Sequence, residues 1–174
     1  LKTSVGHEAR TNLRILLINV EAFATKKIFK FLDTFTHRSN FLVAVDESTT
    51  IKNIKAKRTK ALIKFAEGAK YKRILTGSPI TKSPLDLYSQ FLFLDKKILG
   101  FDSYWSFQGR YAVVRSMNVG SHQFNQVVGY KNLDELKKKI EPYSYRVTKE
   151  EALDLPPKIY TSRQVDLTME QERH

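Results

Sequence analysis

The stretch FLVAVDESTTIKN, Phe41 to Asn53, runs five apolar residues straight into two adjacent carboxylates and then turns polar. A short continuous apolar run bounded by polar residues reads as a strand buried on both faces, with Val43 to Val45 inside. The run ends at Asp46 and Glu47, where like charges repel and both side chains need water or a cation. In an open parallel sheet, ligands bind beyond the carboxyl ends of the strands. Two carboxylates at such an end can divide labour: one holds Mg²⁺, directly or through water, and its neighbour orients a water that attacks a phosphate. Taken alone, the pair fits a solvated loop better.

On either side the chain alternates short apolar runs with helical periodicity. Arg14 to Val20, RILLINV, reads as a strand, and in TKKIFKFLDTF the residues Ile28, Phe31, Leu32 and Phe35 recur at helical spacing. After the opening stretch, Leu62, Ile63, Phe65 and Ala66 mark a second helix, and YKRILTGSP is a third strand ending in a Gly-Pro turn. Ser83 before Pro84, with Asp86 behind, starts a helix through PLDLYSQFLFL that is expected to be well buried. The alternation predicts an α/β fold, a parallel sheet with helices on both faces. From Gly100 the sequence becomes rich in aromatics and is expected to be mostly helical. Asn132 and Glu135 stand there at capping-box spacing, KIYTSRQVDL reads as an exit strand, and LTMEQ as a capped helix start. Tyr104, Trp105, Phe107 and Tyr111 could stack on bases, but a packed core is the reading expected for them.

The 174 residues are 41% apolar, enough for one substantial core, and carry 30 Lys and Arg against 18 Asp and Glu, a formal charge of +12. That imbalance suits a polyanion, nucleic acid before membrane. Nine basic residues fall between Lys52 and Arg73 against one acid, Glu67. This is either a solvated face or a surface that contacts DNA phosphates without reading sequence. The absence of cysteine excludes disulfides and thiolate sites, the scattered histidines argue against zinc, and the longest apolar run, ILLINV, is too short to span a bilayer. With no signal-peptide pattern, an intracellular protein is expected. The first residue is Leu1, so the chain is expected to begin inside a longer protein.

Four elements in order then resemble the ATPase motor of the Swi/Snf-like branch of helicase superfamily two. VDESTTIKN looks like its Walker B or DEAH-type motif with a downstream Lys-Asn, here Lys52 and Asn53. RILTGSPITKSPLDLYSQFLFLD looks like its LTGTP motif and following helix, and ILLINVEAF resembles its Asn-aromatic-Glu strand, with Val20 in place of the aromatic. YSYRVTKEEALDLPPKIYTSRQVDLTMEQ, residues 143–171, resembles the family's tail between lobes. The resemblance implies a partial RecA-like lobe of the P-loop NTPase type that uses ATP and Mg²⁺ and moves on double-stranded DNA without sequence preference. It implies Asp46 as the Mg²⁺ ligand and Glu47 as the residue orienting water. Thr49, Thr76, Gly77 and Ser78 would couple the motifs, and Asn19, Lys52, Asn53, Lys57, Arg58 and Lys82 would lie at the DNA.

The departures are specific. Thr49, preceded by Ser48, replaces the family's histidine; its hydroxyl is expected to reach toward Thr76 but cannot titrate like imidazole. Thr81 and Lys82 replace Gln and Asn. None of the seven glycines precedes a Lys-Ser or Lys-Thr pair, so the phosphate-gripping loop of such motors is not in this sequence, nor are the arginine motifs of a second lobe. The expected organisation is the later part of lobe one over residues 1–99, a helical appendage over 100–157, and an exit strand and linker over 158–174. Such a chain is expected to be inactive alone. The rival readings are a basic DNA-binding module without ATPase activity and, less consistent with the strand RILTGSP, a metal-dependent nuclease using Asp46 and Glu47.

Overall fold

A computed structural model describes residues 13–36, 40–119, 122–152 and 161–163. Residues 1–142 form one compact unit and residues 143–174 another.

The centre of the first unit is a parallel pair, β1 (Leu42–Val45) and β2 (Tyr71–Ile74), in register Leu42 to Tyr71 and Val45 to Ile74. The crossover between them is α2 (Lys57–Ala66), which buries Thr59, Leu62 and Ala66 and leaves Lys57, Lys60 and Lys64 outside. Ahead of them, α1 (Lys27–Thr36) buries Ile28 and Leu32, as the spacing predicts, while Phe31 lies at the surface stacked on Phe35. This is the α/β, RecA-like architecture, with one difference at β1. Val45 is buried and Val43 half-buried, but Leu42 and Ala44 are exposed, so the strand alternates instead of burying Val43 to Val45 without a break.

The expected first strand takes another form. Residues 13–19 have strand-like alternation, with Leu13, Ile15 and Leu17 exposed by 76%, 76% and 88% and Leu16 and Ile18 turned toward the core, yet they join no ladder. A groove of ≈ 740 Å³ is lined by this segment and by β1, and a strand needs a paired neighbour to satisfy its amides. Arg14 anchors the segment to the end of α1, donating to Phe35 O (2.9 Å) and lying 4.9 Å over the Phe35 ring. Asn19 ends it by accepting from Glu21 N (3.1 Å) at the start of a 3-10 turn, Val20–Ala24.

Past β2, Ser83 accepts from Leu85 N as predicted and a 3-10 turn, Pro84–Asp86, leads into α3 (Leu87–Leu94). Leu87, Tyr88, Ser89, Gln90, Phe91 and Phe93 of this helix are all buried. It is the wall shared by two cores. One core joins Phe93 to Val45, Ile51, Leu62 and Leu32; the other joins Tyr88 and Phe91 to Phe107, Tyr111, Leu99 and Leu136. The second core is built by α4 (Lys96–Leu99), α5 (Tyr104–Tyr111) and α6 (Leu133–Ile140), so Phe107 and Tyr111 are core aromatics as expected. Trp105 is not: it is 65% exposed.

Two further expectations fail in this region. The stretch expected to be helical contains an antiparallel hairpin, β3 (Ala112–Val119) and β4 (His122–Tyr130), with a bulge between Val113 and Val114. Its β-branched residues, Val113, Val114, Val119, Val127 and Val128, favour a pleated surface over a helix. Asn132 makes no capping box either. It has φ 54°, makes no side-chain cap bond, and donates its amide to Arg110 O (2.9 Å). Glu135 is committed to an ion pair with Arg110 and to the Tyr111 hydroxyl (3.0 Å), which ties α5 to α6. Partial burial and that carboxylate push the Tyr111 phenol up to about 12.

In the second unit Thr148 and Glu151 exchange bonds at the start of α7 (Lys149–Ala152). The exit strand and the LTMEQ helix start fall outside the described residues, apart from residues 161–163, which have no regular structure. Among the described residues, no helix is long and apolar enough to cross a membrane.

Candidate functional site

Parallel pairing puts the carboxyl ends of β1 and β2 side by side, which places the two sequence motifs together. Leu75 N donates to Val45 O (2.9 Å), and Ser48 N donates back to Leu75 O (2.9 Å) one step beyond the last ladder pair. Asp46 and Glu47 therefore emerge next to the loop of Thr76, Gly77 and Ser78. Both carboxylates are exposed, and Asp46 Oδ1 accepts from Glu47 N (3.0 Å). Glu47 has φ 48° and ψ 60°, a left-handed conformation unusual for a residue with a Cβ. Such strain concentrates at functional sites, where the surroundings hold it in place.

The donor set suits Mg²⁺, which takes one or two carboxylates and keeps several waters for itself and for phosphate oxygens. Among the described residues no group of three His, Cys, Asp or Glu side chains comes together, so nothing here resembles an all-protein metal cage.

The neighbouring loop is internally braced. Thr76 Oγ1 accepts from Ser78 N (3.2 Å), and Ser78 Oγ donates to Ile80 O (3.0 Å). Asp86 gathers its far end: Oδ2 accepts from Thr81 N (3.1 Å), Thr81 Oγ1 (2.8 Å) and Lys82 N (3.1 Å). Partial burial alone would raise the Asp86 carboxyl, but the bonds from Lys82 and Thr81 outweigh it and hold the group below its ordinary value. Lys52 Nζ donates to Thr81 Oγ1, so the sequence-distant Lys52 and Lys82 belong to one basic surface. Asn53 accepts from Lys55 N (2.9 Å), and Arg58 Nε donates to Thr50 O (3.2 Å). Lys55 Nζ lies 5.3 Å from the Trp105 ring centroid. Asn19 is placed apart from these, at the groove that Asp46 also lines.

Two features were not foreseen. Thr49 makes no hydrogen bond to Thr76; the side-chain link runs from Ser48 Oγ to Gln90 Oε1 (2.6 Å). Gln90 and Asp86 were not singled out as site residues, although a glutamine within the apolar run of α3 was a visible signal. Gly77 has open space where a Cβ would stand and no positive φ, so nothing inside the fold demands glycine there. Gly77→Ala is expected to leave thermal stability unchanged or slightly raised, by about 0.4–1 kcal/mol. If that variant melts early, the loop geometry described here is wrong.

A parallel strand pair with an acidic turn and a Thr-Gly-Ser-Pro loop at one end defines a RecA-like lobe. The SNF2-related domain model matches residues 6–174, and the chain belongs to that family. It is similar to the TATA-binding protein-associated factor MOT1 of Saccharomyces cerevisiae, 38% identical over 66% of this chain and 6% of that protein. It also resembles human TATA-binding protein-associated factor 172, 37% identical over 66% of this chain and 6% of that protein. A third relative is the Drosophila melanogaster SWI/SNF-related matrix-associated actin-dependent regulator of chromatin subfamily A-like protein 1, 33% identical over 70% of this chain and 15% of that protein. Among solved structures, the Sulfolobus solfataricus SWI2/SNF2 ATPase core in complex with dsDNA matches with a TM-score of 0.51 and 26% identity, over 79% of this chain and 26% of that one. The chain thus spans a small part of the length of each.

Proposed function

We propose that this chain is the later part of the first lobe of a DNA-dependent ATPase that couples Mg-ATP hydrolysis to movement on double-stranded DNA inside the cell. The observation that carries the reading is the Val45 to Ile74 register, which sets Asp46 and Glu47 beside Thr76 to Ser78. Asp46 would hold Mg²⁺, since its Oδ2 accepts no bond among the described residues, and Glu47 would orient the attacking water. The bound nucleotide would supply the scissile phosphate. Thr49, Thr76, Gly77 and Ser78 would relay its state toward the basic surface, and the division into residues 1–99, 100–157 and 158–174 is part of the same proposal. A chain with no Gly-Lys-Ser/Thr loop is expected not to turn over ATP by itself.

The DNA surface is Lys52, Asn53, Lys57, Arg58 and Lys82, extended by Lys60 and Lys64 on the outer face of α2, with Asn19 as a separate contact. Such contacts neutralise phosphates without reading bases. The chain is expected to bind duplexes of unrelated sequence alike, with a log-log salt slope of about −0.9 per phosphate contacted. Trp105, the sole tryptophan, reports on this surface through Lys55. Its fluorescence should change on titration with duplex at low salt and recover as salt is added. An affinity independent of salt would overturn the assignment of this surface.

A further inference from the structure

We infer that Ser48 and Gln90 form a positioning pair through which the acidic turn and the Thr-Gly-Ser-Pro loop move as one piece during the catalytic cycle. The inference rests on the ATPase reading above. Both side chains are fully buried, with 0% exposure. Ser48 follows Glu47 directly, and its Oγ donates to Gln90 Oε1 (2.6 Å). On the other side of the same amide, Gln90 Nε2 donates to Pro79 O (2.8 Å) and Asp86 O (2.9 Å). One planar group thus joins the residue after the water-orienting carboxylate to both ends of the loop that carries Lys82. Ser89 Oγ adds a bond to Ile51 O (2.7 Å), so α3 grips the acidic turn at two points.

The amide is rigid and both of its donors are used. Oε1 takes the serine proton and both Nε2 protons go to carbonyls, so Gln90 has no spare donor to exchange. Displacement of Ser48 must turn the amide plane or break a buried bond, and an unmade buried hydrogen bond is costly. The cheaper response is for Pro79 to follow. A shift at Glu47 on loss of phosphate would therefore reach the basic surface by Ser48, Gln90 and Pro79, with Asp86 holding Thr81 and Lys82 at the far end. Thr49, which replaces an imidazole in the related motif, takes no part in this bridge.

The test uses the full-length two-lobed protein with three variants, Ser48→Ala, Gln90→Met and Ser48→Ala/Gln90→Met. Ser48→Ala leaves Gln90 Oε1 buried without a donor and should lower Tm. The double variant removes that serine–glutamine mismatch in nearly the original volume but leaves Pro79 O without its Gln90 donor, so it should recover only part of the lost Tm. DNA-stimulated kcat should stay about tenfold below wild type in all three, with KM for ATP within about twofold and basal turnover without DNA unchanged. If the double variant regains DNA stimulation along with Tm, the pair is only a packing element and the inference fails. If wild-type full-length protein hydrolyses no ATP with or without DNA, the ATPase reading fails and this inference with it. Active wild type with an uncoupled double variant upholds both.

Discussion

Glu47→Gln in the full-length protein is expected to lower ATP turnover at least about a hundredfold, the low end of what a positioned proton acceptor contributes, while Mg-ATP binding stays nearly intact. The amide keeps the shape of the side chain and one oxygen but loses the charge that polarises water. The backbone favours a clean result, because the left-handed conformation at Glu47 is tolerated by an amide side chain at least as well as by a carboxylate. Asp46→Asn should act differently, weakening Mg²⁺-dependent nucleotide binding, since in the proposed site its charge would face the cation. Single-turnover hydrolysis and nucleotide titration with and without Mg²⁺ separate the two. Wild-type hydrolysis by the Glu47→Gln protein would show that the carboxylates have been assigned wrongly.

Phe93→Ala is expected to cost about 3–5 kcal/mol, a fall in Tm on the order of 10 °C for a chain of this size. Phe93 is wholly buried in the core that holds Val45, Ile51 and Leu62. Its neighbour Leu94 packs against both cores. The cavity therefore opens behind β1, beneath the acidic turn, and loosening should spread through α3 to Gln90. Phe124→Ala, at an exposed position on the hairpin, should stay within about 1 kcal/mol of wild type. Thermal melts of the two variants decide the matter. Equal melting would mean that α3 is not the shared wall described here.

The parts of this architecture that could be read from the sequence are those whose signals are local. Helical spacing in α1 and α2, the Ser-Pro start ahead of α3 and the apolar run of β1 each depend on a few neighbouring residues, and each appears where expected. The motif letters Asp46, Glu47 and Thr76 to Ser78 could be placed because a parallel crossover brings successive strand ends to one edge. The hairpin was hidden by the aromatics before it, Phe101, Tyr104, Trp105 and Phe107, whose helical context was extended too far along the chain. Asn132 failed as a cap because Arg110 and Tyr111, distant in sequence, claim Glu135. The Ser48 to Gln90 bond spans 42 positions, and no spacing rule reaches that far. RILLINV showed its apolar run plainly, but whether a strand acquires a ladder depends on its neighbour and not on its own letters.

That unladdered segment governs how the chain behaves in a tube. Leu13, Ile15 and Leu17 present an exposed apolar row, and among the described residues β1 pairs only with β2; an open edge with greasy side chains invites strand addition from another molecule. The +12 charge opposes this, since like-charged copies repel. Added salt screens that repulsion within about 8–10 Å while leaving apolar attraction in force. High ionic strength, which should weaken the proposed DNA contact, therefore also removes the guard against self-association. Binding curves measured there need a light-scattering control, or clumping will pass for release.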